Sequence, residues 1–244
     1  MSGMTELPQD GGSLAEGDVH LWYVSLDEVQ ASPKMWDVLS REEQERSYGF
    51  CLERGWRRFV VGRAFLRGIL AQYSRIPPNE VPLASGSCGK PSLGGSREAR
   101  RIRFNLSHSA GLALYAVTLD RDIGVDLENV TQTAGLEGIA ARLFSKSERA
   151  YVDASRGVFR ARAFFRIWTR REALVKGMGR GLLGLSELNR ADCDCSQKSS
   201  RTGDWRIEGL DHCSGFEAAV ALAGPVNRIT TGEIARVPSL ELDY

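Results

Sequence analysis

A single carboxylate, Glu172, lies on the apolar face that helical periodicity predicts for residues 158–176. At about 100° per residue, five apolar side chains share one stripe of this helix: Ala161, Phe164, Phe165, Trp168 and Val175. Lys176 follows Glu172 by one turn on nearly the same face. An unpaired ionised carboxylate buried there would cost several kcal/mol, so Glu172 requires a proton, a cationic partner or a metal. The helix alone leaves a salt bridge and a ligand site as equal alternatives.

The segment Ile123-Gly-Val-Asp-Leu-Glu128 carries two more carboxylates on a predicted strand. Asp126 and Glu128 share one face of that strand, about 7 Å apart along it. Together with Glu172 they would supply three oxygen ligands, which suits Mg²⁺ that also holds a substrate phosphate and water. The alternative is the solvated polar face of an amphipathic strand.

Phe104-Asn-Leu-Ser-His-Ser109 ends another predicted strand just before this acidic pair. A Ser–His hydrolase is disfavoured, because adjacent residues of a strand point to opposite faces and the chain has no Gly-x-Ser-x-Gly elbow. His108 is better explained as a phosphate contact supported by the neighbouring hydroxyls. A histidine satisfied inside a turn is the alternative.

Basic residues form two clusters, between Arg54 and Arg67 and between Arg156 and Arg171. Gly89-Lys-Pro91 presents one more lysine on a turn. Most arginines on such helices are solvated, but the guanidinium fork also suits a polyanion.

The composition is that of an ordinary globular chain: 244 residues, 42% hydrophobic, 26% charged, and net charge +1. The balanced charge argues against a general nucleic-acid binder. No apolar run reaches the ~18 residues of a membrane span, and the N-terminus lacks a signal-peptide pattern, so no membrane and a cytoplasmic location are expected. Five scattered cysteines predict free thiols, and three histidines argue against a His-rich metal site.

The elements that would position these residues follow from periodicity, caps and turns. Ser40 with Glu43, and Ser145 with Glu148, each have the capping-box spacing that begins a helix. Residues 120–121 predict a tight turn between strands. The other predicted elements are strands at 19–26, 103–107, 112–119 and 123–130, helices at 56–73 and 158–177, a long loop at 85–103, and a hairpin of 205–210 with 216–223.

Two stretches of the chain resemble each other, which indicates an internal repeat. Arg63-Ala-Phe-Leu-Arg-Gly68 resembles Glu172-Ala-Leu-Val-Lys-Gly177, with Arg63 at the position of Glu172. The predicted fold is α/β (α+β), a pseudo-dimer of two similar halves with the active site in the cleft between them. The predicted boundaries are a flexible tail at 1–17, halves at 18–118 and 119–232, and a tail at 233–244. A monomer is expected, because the pairing interface is already internal.

Four motifs occur in order: Gly-Lys-Pro, Asn-Leu-Ser-His-Ser, Gly-Val-Asp-Leu-Glu and Trp-x-x-Arg-Glu-Ala-x-x-Lys. This order resembles the 4′-phosphopantetheinyl transferases of the kind that activate surfactin synthetase. The resemblance runs from about Leu21 to Ala223. It implies a pseudo-dimer of two α/β halves, with Mg²⁺ and the co-substrate coenzyme A bound between them.

The resemblance also implies roles by position. The Mg²⁺ ligands would be Asp126, Glu128 and Glu172. The contacts to the coenzyme A pyrophosphate would be Lys176 and Arg171, and those to the adenosine 3′-phosphate would be His108 and Arg46. The nucleotide pocket would be lined by Lys90, Pro91, Ser107, Arg58 and Gly62.

Two positions depart from the family pattern. Arg171 stands where many members have lysine, which keeps the charge but removes a group able to lose a proton. Glu43 stands where some members have lysine, which leaves the 3′-phosphate without a predicted cation beyond Arg46 and His108.

The implied reaction is attack of a serine of an apo acyl or peptidyl carrier protein on the β-phosphorus of coenzyme A, which releases 3′,5′-ADP. Glu172 would be the base, and Lys176 would stabilise the departing phosphate. The carrier would dock on the arginine-rich residues 156–171 and on exposed apolar residues around Val152. The alternatives are a Mg²⁺-dependent phosphodiesterase or nucleotide hydrolase with the same acids, and a catalytically silent module that binds carrier proteins.

Overall fold

The computed structural model describes residues 5–6, 14–86, 89–131, 135–181, 184, 188, 198–211 and 214–233. The helices are α1 Pro33–Asp37, α2 Arg41–Ser47, α3 Glu53–Ser74, α4 Arg97–Arg101, α5 Leu136–Leu143, α6 Lys146–Ala154 and α7 Val158–Met178. The strands are β1 Thr5–Glu6, β2 Asp18–Ser25, β3 Leu83–Ser85, β4 Pro91–Leu93, β5 Ile102–Ser109, β6 Leu112–Leu119, β7 Ile123–Asn129, β8 Ser199–Thr202, β9 Trp205–Leu210, β10 Phe216–Ala223 and β11 Arg228–Glu233.

Both predicted capping boxes, both long helices and the predicted strands are confirmed, with ends that differ by a few residues. The loop predicted at 85–103 is partly wrong, because it contains β4 and α4. The flexible tail predicted at 1–17 contains β1, which pairs with β11. Cys51 is a free, exposed thiol. The other four cysteines and residues 234–244 of the predicted C-terminal tail lie outside the described residues.

Two mixed α/β layers each carry one main sheet. The first sheet has the order β1-β11-β2-β6-β5, and the second has the order β7-β10-β9-β8. The turn predicted at 120–121 therefore joins strands of two different sheets and does not close a hairpin. β11 returns to the first sheet parallel to β2, although it lies almost wholly within the predicted second half at 119–232. No helix in the described ranges has the length and apolarity to cross a bilayer.

The two halves repeat one local arrangement, in which a helix-capping glutamate also binds an arginine buried on the next long helix. In the first half, Glu43 accepts a hydrogen bond of 2.6 Å from Nε of Arg67 on α3. In the second half, Glu148 accepts one of 2.5 Å from Nη2 of Arg171 on α7. Arg67 and Arg171 are only 3% and 0% exposed. Each pair fixes a short capped helix against the long helix of its half.

This equivalence corrects the repeat alignment drawn from the sequence. By these equivalent pairs Arg67 corresponds to Arg171, which differs by about 1.4 helical turns from the register that matched Arg63 with Glu172. The halves are similar, but Arg63 and Glu172 do not occupy corresponding positions.

Three layers of apolar packing hold the two sheets and the two long helices. One face of the first sheet packs on α3 through residues that include Trp22, Val24, Val61, Phe65 and Ile69. The second sheet packs on α7 through residues that include Phe164, Ile167, Leu174, Ala219 and Ala221. The remaining faces of the sheets pack on each other through Leu21, Tyr23, Leu114, Val125 and Leu127, among others. The two halves therefore share a core.

β7 and α7 approach each other so closely that the contact excludes side chains. A Cβ atom on Gly124 would lie 2.0 Å from the carbonyl oxygen of Ala173 and 2.3 Å from the amide nitrogen of Gly177. A Cβ atom on Gly177 would lie 2.5 Å from the ring of Trp205. Asp126 and Glu172 lie on these same two elements, so this contact sets the distance between the predicted acidic residues.

We expect Gly124→Ala to destabilise the fold by about 3 kcal/mol or more, because the added methyl group meets backbone atoms that cannot move without separating β7 from α7. Urea unfolding followed by tryptophan fluorescence measures the change.

Gly138→Ala is the matched control. Gly138 lies in α5, and a Cβ atom there would meet no atom within 4 Å. We expect this variant to be neutral or stabilised by up to about 1 kcal/mol, because alanine reduces the entropy of the unfolded helix segment. Equal stabilities of the two variants would contradict the proposed close contact.

Candidate active site

The candidate site begins where the edge strands of the two sheets face each other. β5 and β7 belong to different sheets, and side chains of β5 accept hydrogen bonds from backbone amides of β7. Asn105 Oδ1 accepts a hydrogen bond of 2.9 Å from the amide of Val125, and Ser109 Oγ accepts one of 3.1 Å from the amide of Asn129. These contacts fix the register of the two halves at the cleft.

The same strand positions the two acids of β7. Ser107 donates a hydrogen bond of 2.9 Å to Oδ1 of Asp126, and Ser109 donates one of 3.0 Å to Oε2 of Glu128. The serines are two residues apart on β5, as the acids are on β7, so each hydroxyl meets one carboxylate. Asp126 and Glu128 are therefore held on one face, as predicted.

Glu172 faces this pair from α7. It is half-buried, like Trp168 one turn before it and Lys176 one turn after it, whereas Ile167 and Leu174 are fully buried. The three half-buried residues all line the cleft. Glu172 thus lies on the cleft-facing side of the helix and not within a core-facing stripe, which corrects the prediction from periodicity.

Lys176 binds Asp126 and not Glu172. Its Nζ donates hydrogen bonds of 2.6 Å to Oδ1 of Asp126 and 3.1 Å to Oγ of Ser107. The Glu172–Lys176 salt bridge, one of the two alternatives that the helix left open, is therefore not formed. Lys176 therefore balances the charge of Asp126, and the other two carboxylates, Glu128 and Glu172, remain close to each other.

The electrostatics of this group show a local excess of negative charge. Desolvation and the charges of Asp126 and Glu128 raise the pKa of Glu172 to about 7, although Lys176 acts in the opposite direction. Desolvation and the charge of Asp126 also raise the pKa of Glu128. A bound cation would relieve this repulsion.

The donor set fits a hard divalent cation. Glu172, Asp126 and Glu128 line one pocket of about 350 Å³, together with Leu106, Ser107, His108, Trp168 and Lys176; we call it the acid pocket. Oδ2 of Asp126 is buried and has no hydrogen-bond partner within the described residues. In those residues no three His, Cys, Asp or Glu side chains already converge as a ready-made metal site. The Mg²⁺ site therefore stays a prediction that the chemistry of the residues supports.

Two further pockets adjoin the acid pocket. The middle pocket, about 390 Å³, is lined by Arg46, Arg63, Lys90, Pro91, Glu172 and Lys176, among others. The basic pocket, about 400 Å³, is lined by Arg46, Arg58, Phe59, Gly62, Arg63 and His108, among others. Leu106 lines all three pockets, so they adjoin one another in one cleft region.

Most of the predicted nucleotide contacts are brought together in this cleft, with two qualifications. Arg58 lines the basic pocket, but both ends of its guanidinium donate to Asp27, at 2.7 and 2.6 Å. Lys90 donates a hydrogen bond of 2.7 Å to the carbonyl oxygen of Gly177, which caps the end of α7. Desolvation and the positive charge of Lys176 lower the pKa of His108.

Arg171 does not reach the cleft. Its side chain is 0% exposed, is held by Glu148 and lies 5.8 Å above the ring of Phe144. The prediction that Arg171 contacts the pyrophosphate is therefore wrong, because the guanidinium is paired with Glu148 inside the second half, as Arg67 is paired with Glu43 in the first.

Sequence reasoning missed Arg63 as a cleft residue and Ser109 as the hydrogen-bond partner of Glu128. Ser109 could have been found from its spacing, because it shares a strand face with Ser107 two residues earlier. Arg63 could not, because its neighbours in the cleft come from α2 and β5, which are distant in sequence.

Two family profiles match the two halves of the chain that form the cleft. Residues 22–119 match the family profile described as 4′-phosphopantetheinyl transferase, N-terminal, and residues 122–223 match that of the 4′-phosphopantetheinyl transferase superfamily. The chain is 36% identical over 214 residues to the 4′-phosphopantetheinyl transferase HetI of Nostoc sp., a match that covers 87% of this chain and 90% of that protein. The chain belongs to the 4′-phosphopantetheinyl transferase superfamily.

Other phosphopantetheinyl transferases are less similar. A putative 4′-phosphopantetheinyl transferase of Synechocystis sp. is 28% identical, over 84% of this chain and 86% of that protein. The 4′-phosphopantetheinyl transferase Sfp of Bacillus subtilis is 26% identical, over 63% of this chain and 66% of that protein. The superfamily prediction is confirmed, whereas the relation to the surfactin-synthetase-activating type is distant.

We expect Arg171→Met to reduce the stability of this phosphopantetheinyl transferase by about 3–5 kcal/mol, because Glu148 is left as an unpaired buried charge. The KM for coenzyme A of the folded protein should stay unchanged. Urea unfolding and steady-state kinetics provide the two measurements.

The double variant Arg171→Met/Glu148→Gln is the control. Glutamine keeps the capping box but removes the charge, so much of the lost stability should return. If Arg171→Met alone kept normal stability and strongly raised the KM for coenzyme A, the result would support the original prediction that Arg171 contacts the pyrophosphate.

Proposed function

We propose that this cleft is the active site in which the chain transfers the 4′-phosphopantetheine group of coenzyme A to a serine of an apo carrier protein, releasing 3′,5′-ADP. The observation that carries the proposal is that the acid pocket and the basic pocket adjoin each other at Leu106 and His108, in a chain that matches the superfamily over both halves. Such a cleft suits a substrate that has a reacting pyrophosphate at one end and a charged nucleotide at the other.

Asp126, Glu128 and Glu172 are the residues that would hold Mg²⁺. When bound, the ion supplies positive charge that neutralises the pyrophosphate oxygens. Ser107 and Ser109 orient two of these carboxylates through their hydrogen bonds. The carboxyl positions are therefore fixed before substrate arrives, which limits the reorganisation needed during the reaction.

Glu172 is the proposed base. It lines both the acid pocket and the middle pocket, so it faces the place where the reacting phosphate would lie. It would take the proton of the carrier serine while the serine oxygen bonds to the β-phosphorus. The bond from that phosphorus to the bridging oxygen then breaks, and 3′,5′-ADP leaves.

Lys176 is the proposed contact to the pyrophosphate. Its ammonium group lies at the border of the acid and middle pockets and can exchange its Asp126 partner for a phosphate oxygen. Lys90 and Pro91 would line the nucleotide on the other side of the middle pocket. Arg46, Arg58, Gly62 and His108 would surround its far end.

The function is tested by incubating the chain with coenzyme A, Mg²⁺ and a panel of apo acyl and peptidyl carrier proteins, followed by intact mass. A carrier should gain about 340 Da, the mass of the phosphopantetheine group. Glu172→Gln should lower kcat at least about 100-fold, because the serine loses its base, while coenzyme A binding changes less than about threefold.

Glu208→Gln is the control, because this β9 carboxylate pairs with Arg206 outside the cleft. Its rate should equal that of the unchanged chain. Hydrolysis of coenzyme A without an acceptor would instead indicate a phosphodiesterase. Carrier binding without any mass change would indicate a silent module.

The carrier docking surface is proposed at the start of α7. Val152, around which the sequence analysis placed the exposed apolar residues, is itself only 6% exposed. Val158 and Phe159 are 75% and 70% exposed, and they adjoin a cavity of about 500 Å³ between α5, α6 and α7. Arg160 lies beside them, and α7 leads from this surface to Glu172, about 20 Å away along the helix.

We expect Phe159→Ser to raise the KM for the carrier about tenfold with kcat and the KM for coenzyme A unchanged, because an exposed aromatic anchor is lost. Leu52→Ser is the matched control, since Leu52 is 75% exposed but lies in the first half. Equal effects of the two variants would argue against docking at α7.

A further inference from the structure

The last turn of α7 is held by a lysine from the other half of the chain. Lys90 immediately precedes β4, and its Nζ donates a hydrogen bond of 2.7 Å to the carbonyl oxygen of Gly177. The two residues are 87 positions apart, so the bond crosses between the halves. Its donor lies largely out of solvent, because the Lys90 side chain is only 21% exposed.

The carbonyl that Lys90 binds lies at the end of the helix, where the last four carbonyl oxygens have no partner within the helix. Gly179 ends α7 in the left-handed conformation, and its amide donates a hydrogen bond of 3.2 Å to the carbonyl of Lys176. The amide of Arg180 donates one of 3.3 Å to the carbonyl of Val175. Lys90 supplies a donor for a further carbonyl of this turn, and its positive charge is favourable at a helix C-terminus.

The backbone of Lys90 is itself held in place by the hairpin of β3 and β4. The amide of Gly86 donates a hydrogen bond of 2.9 Å to the carbonyl of Lys90, and the amide of Gly89 donates one of 3.0 Å to the carbonyl of Gly86. A Cβ atom on Gly86 would lie 2.9 Å from the carbonyl oxygen of Lys90, so this close approach requires glycine. The lysine therefore reaches α7 from a fixed point of the first half.

The ammonium group of Lys90 is engaged and not free in the cleft. Asp122 lies 3.9 Å from it, which is beyond hydrogen-bond distance, and binds Arg103 instead. Burial lowers the pKa of Lys90; Asp122 acts in the opposite direction, and Arg103 adds to the lowering. Among the described residues, the hydrogen-bond acceptor of this desolvated group is the carbonyl of Gly177. Lys90 thus lines the middle pocket while its charge serves the end of the helix.

Gly177 is the residue through which this contact reaches the acid pocket. A Cβ atom on Gly177 would lie 2.5 Å from the ring of Trp205, and one on Gly124 would lie 2.3 Å from the Gly177 amide nitrogen. Lys176 is the preceding residue, and its Nζ binds Asp126 at 2.6 Å. A displacement of the backbone at Gly177 would therefore move the point from which Lys176 reaches into the cleft.

We propose that Lys90 is a positioning residue, which caps α7 from the other half of the chain and thereby holds Lys176 where it meets Asp126 and the reacting pyrophosphate. The inference rests on the proposed function. It gives the lysine of the Gly-Lys-Pro motif a role that differs from contact with the nucleotide, because Lys90 acts through the helix backbone.

The experiment compares Lys90→Met with the unchanged chain, using coenzyme A, Mg²⁺ and a carrier that the unchanged chain modifies. The rate constant of a single turnover should fall about tenfold or more, because a small misplacement of a group at the reacting phosphate is costly. The Kd for coenzyme A, measured by calorimetry, should change less than about threefold. Lys90→Arg should recover much of the rate, because arginine restores a charged donor for the carbonyl.

The double variant Lys90→Met/Lys176→Met distinguishes a role through Lys176 from an independent one. In the Lys176→Met background, loss of Lys90 should change the single-turnover rate less than about twofold, because the group to be positioned is already gone. A further loss of about tenfold in that background would overturn the proposal. A raised Kd for coenzyme A with an unchanged rate in Lys90→Met would overturn it as well, since Lys90 would then contact the nucleotide directly.

Arg103→Met is the matched control. Arg103 lines the same small pocket as Lys90 and Gly177, but its hydrogen bond goes to Asp122 and not to α7. This variant removes a neighbouring positive charge without touching the cap. Its single-turnover rate and its Kd for coenzyme A should stay within about twofold of those of the unchanged chain.

Hydrogen exchange provides a readout that needs no activity. The amides of Gly179 and Arg180 bond to carbonyls in the last turn of α7, so they should exchange about tenfold faster or more in Lys90→Met than in Arg103→Met. Equal exchange in the two variants would overturn the proposal. Absence of carrier modification by the unchanged chain, together with faster exchange in Lys90→Met, would instead refute the proposed function and leave the cap between the halves supported.

Discussion

The contact between the backbones of β7 and α7 is the constraint on which the site depends. Gly124 and Gly177 let the strand and the helix approach until a single added Cβ atom would overlap main-chain atoms. Because Asp126 and Glu128 follow on that strand, and Glu172 and Lys176 lie on that helix, the acids and the lysine meet across the contact. Close packing of this kind cannot be relaxed by a rotamer change, so it fixes the group rigidly.

A second constraint separates structural cations from those available to a ligand. Arg67 and Arg171 are buried on equivalent glutamates and hold a capped helix in each half. Arg58 is forked onto Asp27. The cations that face the cleft are consequently other ones, among them Lys176 and Arg63, which both line the middle pocket.

Much of this protein was predictable from local pattern. The capping boxes at Ser40 and Ser145, the long helices and the strands that carry the acids all follow from short-range rules, because caps and periodicity act over a few residues. The order of four motifs sufficed for the superfamily. The exceptions, such as α4 within a predicted loop and β11 within the first sheet, depend on long-range pairing that a local pattern does not contain.

The sequence by itself determined which residue types are available: three carboxylates, a lysine one helical turn after one of them, and a serine–histidine segment beside them. Only the tertiary structure decided their partners. Lys176 binds Asp126 across the β7–α7 contact and not its helical neighbour Glu172, and Arg171 turns inward to Glu148 although it adjoins Glu172 in the chain. The physical reason is that adjacent helix positions point about 100° apart, so the packing around the helix chooses which charges meet.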